Sequence, residues 1–171
     1  SSTARYLAVL EHLRARPEIA AAAAGDSTPG GGAAAMQAPQ WDGRVRAGLW
    51  QVTDGWVEML GAQLVAGESI RAVDVAEERP VAVITRDLAR QLWPDASDQE
   101  VLGRRLVAPD QPERRIIGVL AEMRQAPGRP LQPMVITPIA ASGFWMMDFL
   151  VRTTAGQPLN PQAILPAVQS A

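Results

Sequence analysis

Residues 80–94 read Pro80-Val81-Ala82-Val83-Ile84-Thr85-Arg86-Asp87-Leu88-Ala89-Arg90-Gln91-Leu92-Trp93-Pro94. Four consecutive apolar residues after the proline make a buried-strand run. The spacing then changes to a helical one. Leu88, Leu92 and Trp93 point inward from a helix that Thr85 or Asp87 starts and Pro94 ends. The chain therefore contains at least one strand that passes directly into a helix.

Working outward, residues 95–100 are acidic and read as a loop. Leu106-Val107 and Arg115-Ile116-Ile117-Gly118-Val119-Leu120 read as two strands joined by a turn at Pro109-Asp110-Gln111-Pro112. Residues 125–133 hold three prolines and read as a loop. Met134-Val135-Ile136 and Phe149-Leu150-Val151-Arg152 are further short strands, and Pro161 opens a last helix. Upstream, the charged stretch 68–79 reads as a surface connection and Gln63-Leu64-Val65 as a brief extended piece. Thr53 caps a short helix over 54–60 with Trp56, Met59 and Leu60 as its apolar face and Gly61 as its stop. Residues 44–52 alternate as a strand. Residues 25–40 are rich in Gly, Ala and Pro without periodicity and read as an open loop. Residues 3–16 form an amphipathic helix with Tyr6, Leu7, Leu10 and Leu13 on one face, capped by Ser2 or Thr3 and ended by Pro17. Residues 18–24 carry two readings, because alanine favours a helix while Pro17 and Gly25 leave only a short run that also suits an interior strand. Helices and strands interleave irregularly, which predicts an α+β fold.

Composition narrows the chemistry. The chain has 171 residues, 16 basic against 18 acidic groups, no cysteine and one histidine, His12. All the basic residues are arginine. Zinc, haem and iron–sulfur sites of the usual kinds need ligands that are absent, and disulfides are excluded. Without lysine there is no Walker A loop and no Schiff-base chemistry. A net charge of -2 argues against a nucleic-acid partner. The alanine, glycine, proline and arginine usage suits a GC-rich genome. No run approaches the ~20 apolar residues of a membrane helix. The chain starts at Ser1 rather than Met, so a piece of a longer protein is expected.

Local catalytic signals are weak. Gly25-Asp26-Ser27 resembles the nucleophile block of GDSL-type hydrolases, but that family's late Asp-x-x-His pair is missing and His12 lies upstream on a helix. Ser27 as a nucleophile is one alternative; a free-standing binding module is another. Gly30-Gly31-Gly32 lacks the residues that follow a phosphate cradle. Asp95, Asp98 and Glu100 lack calcium-loop spacing. Trp56 and Trp93 are expected in the core, and Trp41 and Trp145, in or beside loops, on a contact surface.

An ordered set of blocks carries a stronger signal. Val52-Thr53-Asp54-Gly55-Trp56-Val57-Glu58-Met59-Leu60-Gly61 is similar to a V-S-x-x-Y-F-x-x-L-G element. The 80–94 stretch is similar to P-V-A-V-V-N-x-x-x-A-R-x-L-F-P. Val101-Leu102-Gly103-Arg104-Arg105-Leu106 is similar to P-L-G-R-R-L. Ile116-Ile117-Gly118-Val119-Leu120 matches an I-V-G-V-V strand, Val135-Ile136-Thr137-Pro138 a V-Y-x-P block, and Leu150-Val151-Arg152-Thr153 a closing L-V-V-R-T. In this order they resemble the periplasmic core domain of MacB/FtsX-type ABC transporter permeases, from Tyr6 onward, with 25–43 poorly matched. Trp56-Val57 replaces the usual Tyr-Phe, and Val101 replaces a proline.

The resemblance implies a two-lobed α+β fold. A porter-like lobe of β–α–β units takes 1–66 and 146–171, and an inserted second lobe takes 67–145. It implies that 18–24 is extended and that, with no strand ahead of Thr3, one sheet edge is unpaired. It implies a non-catalytic domain without cofactors, outside the bacterial cytoplasmic membrane. There it couples transmembrane motion to the handling of a substrate or partner. The implied partners are the transmembrane helices of the parent permease, a cytoplasmic ATP-binding domain or subunit acting indirectly, and a periplasmic partner protein. Trp41, Trp145, Met146 and Met147, with the 25–40 loop, are the expected contact surface, because aromatic and methionine side chains make adaptable contacts.

Overall fold

The computed structural model describes residues 2–26, 33–39, 43–108, 111–122, 132–140, 147–156, 158, 160–162, 164 and 166. The strand–helix unit at 80–94 is its centre. Strand β5 (Val81–Thr85) is buried along its whole length, and helix α4 (Arg86–Leu92) follows without a loop. Thr85 Oγ1 makes the join. It accepts from the Met134 N–H at 3.0 Å and donates to Asp87 Oδ1, so a buried hydroxyl serves both the sheet and the first helical turn.

Around this unit lie α1 (Ser2–Arg14), β1 (Ile19–Asp26), β2 (Ala33–Met36), β3 (Val45–Val52), α2 (Trp56–Met59), β4 (Leu64–Gly67) and α3 (Ala72–Ala76) before it. After it come α5 (Asp98–Val101), β6 (Arg105–Leu106), β7 (Arg114–Leu120), β8 (Met134–Pro138) and β9 (Met147–Thr153). Residues 161, 162, 164 and 166 are helical. The strands form one mixed sheet in the order β4-β7-β5-β8-β3-β1-β9, with β2 beside β3 and β6 beside β7. Its middle has an approximate two-fold relation. The central pair β5 and β8 is antiparallel, and each has a long parallel neighbour, β7 and β3 respectively. Each long strand carries two antiparallel strands on its outer edge, β6 and β4 on β7, and β2 and β1 on β3.

The two outer edges meet. Gln37, just after β2, and Val107, just after β6, exchange both backbone hydrogen bonds at 2.8 and 2.9 Å. This one pair closes β2-β3-β8-β5-β7-β6 on itself. Met36 and Leu106, from the meeting edges, share a core cluster with Val45, Leu49, Ile84 and Val119, and α4 adds Leu88, Leu92 and Trp93 to it. Arg104 lies over the Trp93 ring, 5.5 Å from its centroid. The opposite face buries Trp50, Trp56, Val83, Leu120 and Ile136. A third cluster joins α1, β1 and β9 through Leu10, Leu13, Ala22, Ala24 and Met147, with Ile164 packed against it.

The alanine run is strand β1. Its side chains alternate between two partners: Ala22 and Ala24 face α1, and Ala23 packs with Trp56. A strand with elements packed on both faces needs small side chains for both to approach, and this overrides alanine's helical preference.

Several sequence readings are corrected. Residues 33–36 are a strand within the expected 25–40 loop, held by pairing with β3. The 68–79 stretch holds helix α3 and buries Ile70 and Asp74. The Asp74 carboxylate accepts from Arg71 N at 2.9 Å and pairs with Arg71 and Arg79. The 95–100 stretch contains the start of α5. There Ser97 and Glu100 form a capping box, and Asp98 binds Arg86 at 2.7 Å. Thr53 does not cap the helix after it. Its Oγ1 accepts from the Ala24 N–H at 2.9 Å, and Gly55, at φ 81°, stands at the N-cap. That helix is one turn long and stops before Leu60, which is 41% exposed rather than part of a buried face. Thr3 likewise lies inside α1 and donates from Oγ1 to the Ala140 carbonyl at 3.3 Å.

Candidate functional site

A cleft lies where the end of α1, strand β1, the Thr53–Met59 turn and β9 come together. Its volume is about 480 Å³. The alanines explain the space. Ala20, Ala21 and Ala22 form the floor, and none fills the gap between Arg14 and Met59.

Arg14 organises one wall. It sits in the last turn of α1, where a cation meets the helix's negative end. Its Nε donates to the Ala22 carbonyl at 3.0 Å, and its Nη2 to both the Asp54 carbonyl and Asp54 Oδ2 at 3.1 Å. Nη1 reaches Glu11 at 3.4 Å. One guanidinium thus ties a helix, a strand and a turn. The opposite wall carries Glu58 and Arg152, both exposed and without an ion pair among the described residues. Arg152 faces outward on β9, in register with Ala21. The cleft presents one cation and one anion not committed to each other, above an apolar floor.

His12 is exposed on α1 with no side-chain hydrogen bond among the described residues. Ser27, the serine of the hydrolase alternative, lies outside the described residues. No group of three potential metal ligands occurs among the described residues, and Asp98 and Glu100 are engaged by Arg86 and Ser97. Glu100 has its carboxyl held below the usual range, first by the Ser97 backbone N–H and then by the Ser97 hydroxyl.

Of the expected contact surface, Trp41, Trp145 and Met146 lie outside the described residues. Met147 opens β9, is 9% exposed and packs in the cluster of α1 and β1. It is therefore a core residue, because the first residue of β9 turns toward α1. Trp56 and Trp93 are buried as expected. In this cleft Arg14 is tied to Asp54 by two hydrogen bonds. The two are forty residues apart, and nothing local in the sequence joins them.

No curated protein matches the chain. Among solved structures, the periplasmic region of MacB from Actinobacillus actinomycetemcomitans is similar, with a TM-score of 0.70 and 13% identity. That match covers 96% of this chain and 71% of that one. A domain of a putative permease protein from Porphyromonas gingivalis gives a TM-score of 0.64 at 17% identity, covering 94% of this chain and 72% of that one. The extracellular domain of YknZ, described as a noncanonic ABC-type transporter from Gram-positive bacteria, gives 0.55 at 16% identity, covering 76% and 60%. At these identities the likeness is one of fold, and the mixed sheet with its flanking helices is what they share. The sequence itself matches a family pattern over residues 2–170, nearly its whole length, and on that ground the chain belongs to the MacB-like periplasmic core domain family.

Proposed function

We propose that this domain is the extracytoplasmic part of an ABC transporter permease and relays motion of the membrane helices to a substrate or partner outside the membrane. The observation that carries the reading is that the first helix and a residue late in the chain pack on one cluster. Helix α1 and Ile164 pack in one cluster on β1 and β9. A domain set between two membrane helices needs its ends together, so that both reach the same membrane surface. In this reading it is not an enzyme, and ATP is bound by a cytoplasmic domain or subunit that acts on it through the transmembrane helices.

We assign 1–66 and 146–171 to the lobe nearer the membrane and 67–145 to the inserted lobe. The junction would include the β3–β8 pairing, Gly48 beside Met134 through Val52 beside Pro138, together with the Gln37–Val107 pair and the β4–β7 pairing. Two hydrogen bonds flank the β3–β8 pairing: Thr3 Oγ1 to the Ala140 carbonyl, and the Ala140 N–H to Gln51 Oε1, both 3.3 Å. Motion of α1 would reach the second lobe through these contacts. Trp41, Trp145 and Met146 remain the proposed partner surface.

The test uses the parent permease with Thr3→Cys and Ala140→Cys. This domain has no cysteine of its own, so a short bifunctional thiol reagent bridges the introduced pair. ATP hydrolysis should persist while transport or partner stimulation is lost, and a cleavable bridge should restore it on reduction. Unchanged coupling with the bridge in place would overturn the relay.

A further inference from the structure

A second cleft, of about 360 Å³, lies at the end of the sheet where β5 and β7 begin and β8 ends. Pro80, Pro112 and Pro138 give it rigid apolar walls, and Arg79, Arg114 and Glu78 line it. The Arg115 N–H donates to the Pro80 carbonyl at 2.9 Å, which fixes the two strand starts side by side. Arg114 is then half-buried in the cleft, while Arg115, the next residue along the strand, is exposed.

The charges here are unequally committed. Arg79 is engaged by the buried Asp74 at 3.6 Å and by Glu77 at 2.7 Å. Glu78 has a contact of its own. Its backbone takes φ 48°, a conformation a non-glycine residue adopts at a cost and one that recurs at ligand clamps. Arg114 makes one long hydrogen bond, 3.4 Å to the Pro112 carbonyl, and no ion pair among the described residues. Burial lowers its pKa from the usual arginine value, as expected of a cation that has lost water without gaining a counter-charge. A half-buried cation of this kind gains most from an anion brought into the same cavity.

We propose that this pocket binds a small organic monocarboxylate, with the carboxylate on the Arg114 guanidinium and an apolar body against the three prolines. The guanidinium fork matches a carboxylate in a two-point contact. The volume falls within the range of small-molecule sites. A single uncommitted cation beside Glu78 suits a monoanion better than a dianion. The proposal does not rest on the relay, although Pro138 and Ala140 line this pocket and also belong to the β3–β8 junction.

The experiment titrates this 171-residue chain with octanoate, octan-1-ol and inorganic phosphate. It follows the Arg114 side-chain Nε–H and the backbone amides of β5 and β7 by NMR. Octanoate should shift them saturably, with octanol and phosphate at least tenfold weaker. Arg114→Met, read from the backbone amides, should weaken octanoate binding at least tenfold, whereas the neighbouring Arg115→Met should change it less than threefold. The backbone spectrum of each variant reports that it is folded. Equal binding of octanol, undiminished binding by Arg114→Met in a folded chain, or no saturable shift at millimolar octanoate would overturn the proposal.

Discussion

Arg14 and Asp54 are forty residues apart in sequence and joined twice, by a guanidinium nitrogen that reaches both the backbone carbonyl and the carboxylate of Asp54 at 3.1 Å. Both side chains are less than a third exposed. Arg14→Met should cost about 1–2 kcal/mol, because the Asp54 and Ala22 acceptors lose a charged donor. A double-mutant cycle with Asp54→Asn should give a coupling of about 0.5–1.5 kcal/mol that shrinks in high salt. Denaturant unfolding of the four proteins measures it. Strict additivity would show that the pair is not coupled.

Gly25 lies against the face of Trp56. A Cβ at position 25 would stand 2.9 Å from three atoms of the indole. Gly25→Ala should destabilise by about 1–3 kcal/mol, the usual penalty of overpacking. Combining it with Trp56→Leu should cost less than the sum of the two single changes, since the smaller side chain makes room. Equal costs with and without the indole would point to backbone entropy instead.

Gly67 and Gly118 face each other across β4 and β7. A Cβ on Gly118 would collide with the Glu68 carbonyl oxygen, and one on Gly67, which is also at φ 72°, with the Ile117 carbonyl oxygen. Neither backbone atom yields as a flexible side chain would. Either alanine substitution should cost more than Gly25→Ala. Hydrogen exchange should locate the loss in β4, with the α1–β1–β9 cluster keeping its protection.

Two carboxylates near the surface set a pH dependence. Glu18 is held below its usual pKa chiefly by its own backbone N–H and then by Arg16, and Glu100 by Ser97. A carboxylate whose pKa is lowered by folding adds stability above its unfolded value, here 4.5, and loses it as pH falls through the lower folded value. Their contribution to stability should therefore be level above this range and decline below it. Glu100→Gln should flatten part of that decline, as read from urea midpoints at a series of pH values. An unchanged decline would remove Glu100 from the account.

The parts of the fold legible in sequence were those with strong local signals. The β5–α4 unit shows a change of period, and β7 and β8 are apolar runs. Strand β1 needed its neighbours. The helix-or-strand ambiguity of its alanines disappears only when α1 and Trp56 occupy both its faces, and Ile19 alone among its first six residues carries a large side chain. Strand β2 has no pattern of its own and exists through pairing with β3. Helix α5 had a readable signal, Ser97 three residues before Glu100, obscured by the acidity of the stretch. The candidate cleft was not legible, since Arg14, Asp54 and Arg152 come from three distant segments that the sheet alone brings together.

The central claim is that this domain faces the outside of the membrane. The direct measurement places one cysteine at the exposed His12 of α1 in a cysteine-free parent protein and treats intact spheroplasts with a membrane-impermeant maleimide. The account predicts full labelling without permeabilisation. Labelling that appears only after lysis would contradict it.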